Sequence, residues 1–212
     1  MQLEGKENLK FFERVRLAKA AYYWNRKKVV FIHIPKAAGV SASFRLYERN
    51  LGHWPLELIR KYHPRIIEKL PILTIVRDPI SRFVSAYQFA TRGGGDNMQF
   101  QFFDTIPDHC RKDINIFVEY IFFDATYMLK DFIFLPQCFF LDSMSTLSNL
   151  IIFKIEYLEE FWNYLYDNGY CDQGPIFKNV SSSREDDIKI LNNRSRNILE
   201  DYYINDFRKF YS

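Results

Sequence analysis

Two apolar runs, VVFIHI at residues 29–34 and ILTIV at residues 72–76, break off in the same manner. This repeated ending constrains the fold more than any other feature of the chain. Both runs are short, rich in β-branched residues and without lysine, arginine or acid, the pattern of a buried strand. Each then meets a basic residue and the start of a helix. The first continues as Pro35-Lys36-Ala37-Ala38-Gly39-Val40-Ser41, the second as Arg77-Asp78-Pro79. Pro79 suits the first position of a helix, with Asp78 as its cap. Strands that alternate with helices predict a three-layer α/β domain around a central, mainly parallel sheet flanked by helices. Ligands of such sheets gather at the C-terminal ends of strands, where Lys36 and Arg77 both stand.

The rest of the chain fills in this plan. Ser41 to Asn50 reads as a helix that stops near Gly52, and Leu56 to Leu70 has helical spacing interrupted at Pro64. A helix from Pro79 runs through Tyr87 and Phe89 to the flexible Gly93-Gly94-Gly95. Beyond it, helical pattern with irregular breaks continues to about Lys130. Cys138–Leu141 and Leu150–Phe153 are expected as further short strands, and Glu156–Asp167 as a helix ending at Asn168-Gly169. After a polar loop at Asn179–Ser183, Arg184 to Tyr211 closes the chain as one long helix or two. Residues 1–28 mix Phe11, Phe12, Val15 and Leu17 with Lys10, Arg14, Arg16, Lys19, Arg26, Lys27 and Lys28. This predicts a basic amphipathic arm ahead of a single domain at 29–212. Two readings are open for the arm: a helix packed on the domain with its charges solvated, or peripheral contact with an anionic membrane surface.

Composition narrows the partners. With 21 Phe and 14 Tyr among 212 residues, the core is expected to be built from large rings. A net charge of +3, from 29 basic and 26 acidic residues, gives no bulk electrostatic argument for nucleic acid. Cys110, Cys138 and Cys171 form no CxxC and have no histidine at ligand spacing, so neither a metal site nor a disulfide framework is expected. No apolar run approaches the roughly 20 residues that span a bilayer, and no signal peptide is recognisable. The default expectation is a cytoplasmic protein, with the Golgi lumen only if the chain is an excised domain. The sequons at Asn179 and Asn193 would matter only in a secretory lumen.

The two strand endings carry the chemistry. Small residues after Lys36 let backbone N–H groups close on an anion while the lysine adds a mobile positive charge. In the second ending, Ser85 follows Arg77 by eight positions, about 80° around a helix axis, so an arginine fork and a hydroxyl suit a second phosphate. A Walker-type loop, GxxxxGK[ST], is absent, because here the lysine precedes the glycine. Two separate phosphates, one at each strand end, fit better than a metal-bound triphosphate.

FIHIPKAAGVS followed by IVRDPISRFVSAY resembles the paired nucleotide-binding motifs of sulfotransferases that use 3′-phosphoadenosine 5′-phosphosulfate (PAPS). The nearest branch contains the heparan sulfate 2-O-, chondroitin and HNK-1 carbohydrate sulfotransferases. Weaker echoes follow in order at Pro136-Gln137, FKIEYLEE, KNVSSS and YYINDFRKFY, so the likeness extends over residues 29–211. The resemblance implies a P-loop-like sulfotransferase fold in which Lys36 contacts the bridging oxygen of the leaving phosphosulfate. It assigns Ala37, Ala38, Gly39, Val40 and Ser41 to the 5′-phosphate, and Arg77 and Ser85 to the 3′-phosphate. The chain departs from the family at Val40, where a threonine is usual, and loses a hydroxyl there. The family's Gly-His segment resembles Gly52-His53, which makes His53 the expected catalytic base and Glu57 its reserve. His33 reads as a core histidine, His63 as a helix cap or turn, and His109 lies in the middle region.

The expected activity is therefore sulfuryl transfer from PAPS to a hydroxyl of a carbohydrate acceptor, without a metal. Two alternatives stand beside it: a P-loop-like kinase using Mg-ATP, and a catalytically silent module that binds glycans or a membrane surface.

Overall fold

The computed structural model describes residues 9–94, 103–123, 131–141, 147–172 and 189–212. In chain order these form α1 (Phe11–Lys27), β1 (Val30–Ile32), α2 (Gly39–Tyr47), α3 (Leu56–Tyr62), α4 (Pro64–Lys69), β2 (Ile72–Val76) and α5 (Pro79–Thr91). There follow α6 (Asp108–Arg111), α7 (Ile114–Phe123), α8 (Gln137–Leu141), β3 (Leu150–Lys154), α9 (Leu158–Asp167), α10 (Asn193–Tyr202) and α11 (Ile204–Phe210). The protein is mixed α/β, and its described residues divide into two compact units. Those within 6–77 and 137–179 make a sheet unit, and those within 78–136 and 180–212 make a helical unit.

In the sheet unit the three strands pair in parallel in the order β1-β2-β3, with Ile32 opposite Thr74 and Val76 opposite Lys154. Every residue of β1 and β2 is buried, so both faces of the sheet are covered there, whereas β3 is a half-exposed edge. That accounts for the unbroken apolar runs: a strand wet on one face would alternate. The one polar residue inside β2, Thr74, is fully buried and donates its hydroxyl to the Ile32 carbonyl at 3.0 Å. Tyr47 ties α2 to the start of β1 by donating to the Val29 carbonyl at 3.0 Å. Asn149 donates to the carbonyls of Ile67 and Leu70, both at 2.7 Å, and so fixes the end of α4 beside the start of β3. The described strands follow one another without the reversal of order at which open α/β sheets usually form a crevice. A site at their ends must therefore be built by loops.

Two expectations need correcting. The first strand is shorter than residues 29–34, because His33 and the residues after it already turn out of the ladder. The run Cys138–Leu141 is not a strand but lies in helix α8. Four or five apolar residues carry too little period to separate a buried strand from a buried helix, and here burial was the only signal. The C-terminal region resolves, within its described part, into the two helices α10 and α11.

The helical unit is held by the expected rings. Phe117 is at its centre, with centroids of Tyr87, Phe103 and Phe134 at 5.1, 5.5 and 5.6 Å, and Phe83 at 6.1 Å. These separations and tilted planes are those at which aromatic quadrupoles attract. Beneath them Arg82 is fully buried. Its guanidinium donates to the carbonyls of Ile133 at 3.0 Å and Leu135 at 2.6 Å, while Tyr203 donates to Phe134 between them at 2.6 Å. Three consecutive buried carbonyls thus receive side-chain donors, which a turn of 3-10 helix at Phe132–Phe134 could not supply internally.

Candidate functional site

After β1 the chain passes through Pro35 into a tight turn at residues 35–38. Lys36 and Ala38 both adopt the left-handed region, with φ of 66° and 58°. Neither is glycine, so each stores roughly 1–3 kcal/mol of backbone strain. Alternate residues in this conformation turn main-chain N–H groups towards a common concavity suited to an anion. Helix α2 starts directly afterwards at Gly39, and its N-cap Ala38 makes no side-chain cap hydrogen bond. The positive end of the helix is thereby left to whatever occupies the cradle. Lys36 and Ala38 are half-buried, Ala37 is buried, and Val40 and Ser41 are exposed on the first turn of α2.

Gly39 is required by its neighbour rather than by its own torsions. A Cβ added there would collide with Cδ2 of His33, so the imidazole occupies the space a side chain would take. His33 is 3% exposed, and its ring sits 3.9 Å, centroid to centroid, from that of His53. Nδ1 of His33 lies 3.3 Å from Oδ1 of Asn50, which also accepts the Gly52 N–H at 2.9 Å. Gly52 itself has φ of 92°, and Trp54 is pinned by donating to the Leu51 carbonyl at 2.8 Å. The loop 50–54 is therefore tightly built, and it delivers His53 to the end of β1. There His53 Nδ1 donates to the His33 carbonyl at 2.8 Å, which puts the lone pair of the neutral ring on Nε2. Burial lowers the His53 pKa to about 4, although the His33 carbonyl opposes the shift. His33 is held well below the ordinary value, by burial first and by His53 second. Both rings are neutral at pH 7.

Arg77 closes β2. It follows Val76, the last residue of β2, which pairs with Lys154 of β3. The residue is 7% exposed. Its backbone is gripped from both sides by the fully buried Gln137, whose Oε1 accepts the Arg77 N–H and whose Nε2 donates to the Arg77 carbonyl, each at 2.9 Å. Sequence reading gave Gln137 no such part. It had entered only with Pro136, as a weak echo of the family pattern.

The structure thus puts Lys36, Ala37, Ala38, Gly39, Val40, Ser41, His53 and Arg77 on one unit, at or beside the ends of β1 and β2. Ser85 is half-buried on α5 and belongs to the helical unit. In α5 the expected cap is present: Asp78 accepts the Ser81 N–H at 3.0 Å. Glu57 is exposed in the first turn of α3. His63 forms the joint between α3 and α4, and His109 is exposed on α6. KNVSSS falls outside the described residues. Among the described residues, no group of three or more His, Cys, Asp or Glu is arranged to hold a metal ion. No protein-family model, curated protein or solved structure matches this chain.

Proposed function

We propose that the chain is a PAPS-dependent sulfotransferase of P-loop-like fold, acting on a hydroxyl of a carbohydrate acceptor. One observation carries the reading. The end of β1 holds a strained turn with Lys36 and an uncapped helix start, and its His33 carbonyl fixes the tautomer of His53. An anion cradle and a base on a single strand end are the parts that sulfuryl transfer requires.

The donor set suits the proposed co-substrate: lysine and main-chain N–H groups for a 5′-phosphosulfate, and the Arg77 guanidinium for a 3′-phosphate. PAPS, when bound, supplies a sulfuryl group attached to a phosphate leaving group. Lys36 then neutralises the charge that develops on the bridging oxygen as the S–O bond breaks. His53 Nε2 takes the proton of the acceptor hydroxyl as its oxygen bonds to sulfur. Desolvation makes His53 a weak base in the free protein, and the negative charge of a bound nucleotide raises its pKa towards the working range. The 3′-phosphate contact of Ser85 and the carbohydrate class of the acceptor rest on the family resemblance.

Adenosine 3′,5′-bisphosphate should raise the melting temperature, and Lys36→Ala should lower sulfate transfer from labelled PAPS about 10²–10³-fold with folding intact. Undiminished transfer by Lys36→Ala sinks the assignment. Stabilisation by Mg-ATP alone moves the chain to the kinases, and stabilisation by neither nucleotide leaves a silent binding module.

A further inference from the structure

Helix α1 carries two apolar stripes. Leu17, Ala20, Ala21 and Trp24, spaced i, i+3, i+4 and i+7, are buried in the sheet unit. Phe11, Val15, Ala18 and Tyr22, spaced i, i+4, i+7 and i+11, form a second stripe that falls within about 60° of the helix circumference. This one faces solvent: Phe11 is 79% exposed, Val15 52% and Tyr22 60%, and Phe12 beside them is 80% exposed. Packing of the first stripe gives α1 its place in the fold and leaves the second without a structural use.

The charge around the outer stripe is of one sign. Arg14 borders it on one side, and Lys19 and Arg26 on the other, with Lys10 and Arg16 further round, all exposed. Arg14 also lies over the Tyr62 ring at 5.7 Å. The one acidic residue of the helix, Glu13, accepts the Lys10 N–H at 2.9 Å and so serves the helix start. A partner must therefore offer an apolar phase to the rings and anions to the rim. An acidic glycan leaves the rings wet, and a neutral protein groove leaves the cations unmatched. An anionic bilayer meets both needs, with rings at the acyl boundary and cations among the headgroups. Among the described residues no helix is long and apolar enough to cross a membrane, so such contact lies in the plane of the surface.

We infer that α1 docks this protein on anionic lipid bilayers through Phe11, Phe12, Val15 and Tyr22, with Arg14, Lys19 and Arg26 at the headgroups. The inference does not depend on the sulfotransferase reading. The test is flotation of the full chain with phosphatidylcholine vesicles, with and without phosphatidylserine. Binding should require phosphatidylserine and weaken with salt. Lys19→Gln with Arg26→Gln should weaken it about thirtyfold, from about a fivefold effect per cation. Phe11→Ser with Phe12→Ser and Tyr22→Ser should weaken it at least about tenfold, with melting unchanged because these side chains are exposed. Absence of flotation, or flotation indifferent to the aromatic substitutions, overturns the inference. So does a dimer in sedimentation velocity that those substitutions dissolve, which would assign the stripe to a second copy of the chain.

Discussion

The two units place their buried ionisable side chains differently. In the helical unit Arg82 is sealed among rings, and its guanidinium donates to main-chain carbonyls at Ile133 and Leu135. In the sheet unit polar side chains collect where strands end, beside two non-glycine residues in the left-handed region and two histidines kept neutral by burial. Arg77 and Arg82 stand five residues apart in one motif, yet only the first lies at a strand end. A charged residue in such a stretch is therefore not a ligand by virtue of its charge. Where its donors go decides whether it builds the fold or the site.

The sharpest way to break this contrast is to remove Arg82. Arg82→Met keeps the stem but leaves two buried carbonyls without their donors, at about 1–3 kcal/mol each. The variant should lose roughly 3 kcal/mol of stability in urea unfolding. The strained turn at Lys36 should behave otherwise, since trimming a half-buried amine removes little packing. If Arg82→Met cost less than about 1 kcal/mol, the guanidinium would not be a scaffold.

The histidine pair offers the next largest effect, read through pH. Both rings titrate below the ordinary 6.5 in the folded chain, His53 at about 4. Between these values the unfolded chain binds more protons than the folded one, so stability rises with pH across the window and is lost on acidification from 6.5 towards 4. His53→Asn should flatten part of that slope. Adenosine 3′,5′-bisphosphate should raise the His53 pKa, so its binding should take up a proton and tighten as pH falls below about 6.5. Ring NMR titrations with and without the nucleotide check both signs. A free His53 titrating near 6.5 would remove the electrostatic distinction between the strand end and solvent.

What could be read beforehand follows the same division. The strand ends were legible because the chemistry there is local: an apolar run, a basic residue, small residues and a capped helix occupy consecutive positions. Asp78 and Pro79 announced α5, and Gly52-His53 announced a histidine in a turn. The parts that escaped depend on distant partners. Gln137 grips the Arg77 backbone across 60 residues, and Asn50 meets His33 across 17. Arg82 meets carbonyls more than 50 positions away, and no spacing rule connects them. Gly39 looked like cradle flexibility, whereas it makes room for the His33 ring. Helix α8 was misread for a related reason, since a short apolar run reports burial without reporting its period.

Val40 gives the smallest expected effect and the finest test of where the site begins. Its side chain is 54% exposed on the first turn of α2, so no packing in the fold accounts for an apolar residue there. Val40→Thr is close to isosteric and should change stability by no more than about 0.5 kcal/mol. If the cradle receives a phosphate, the added hydroxyl gains one hydrogen bond to it, worth about 1 kcal/mol or roughly fivefold tighter binding of the bisphosphate. Isothermal titration of wild type and variant side by side would resolve such a change. Equal affinities would mean that the anion, if bound, lies nearer Lys36 and the main chain than the second residue of α2. The functional edge of the sheet unit would then end at Gly39.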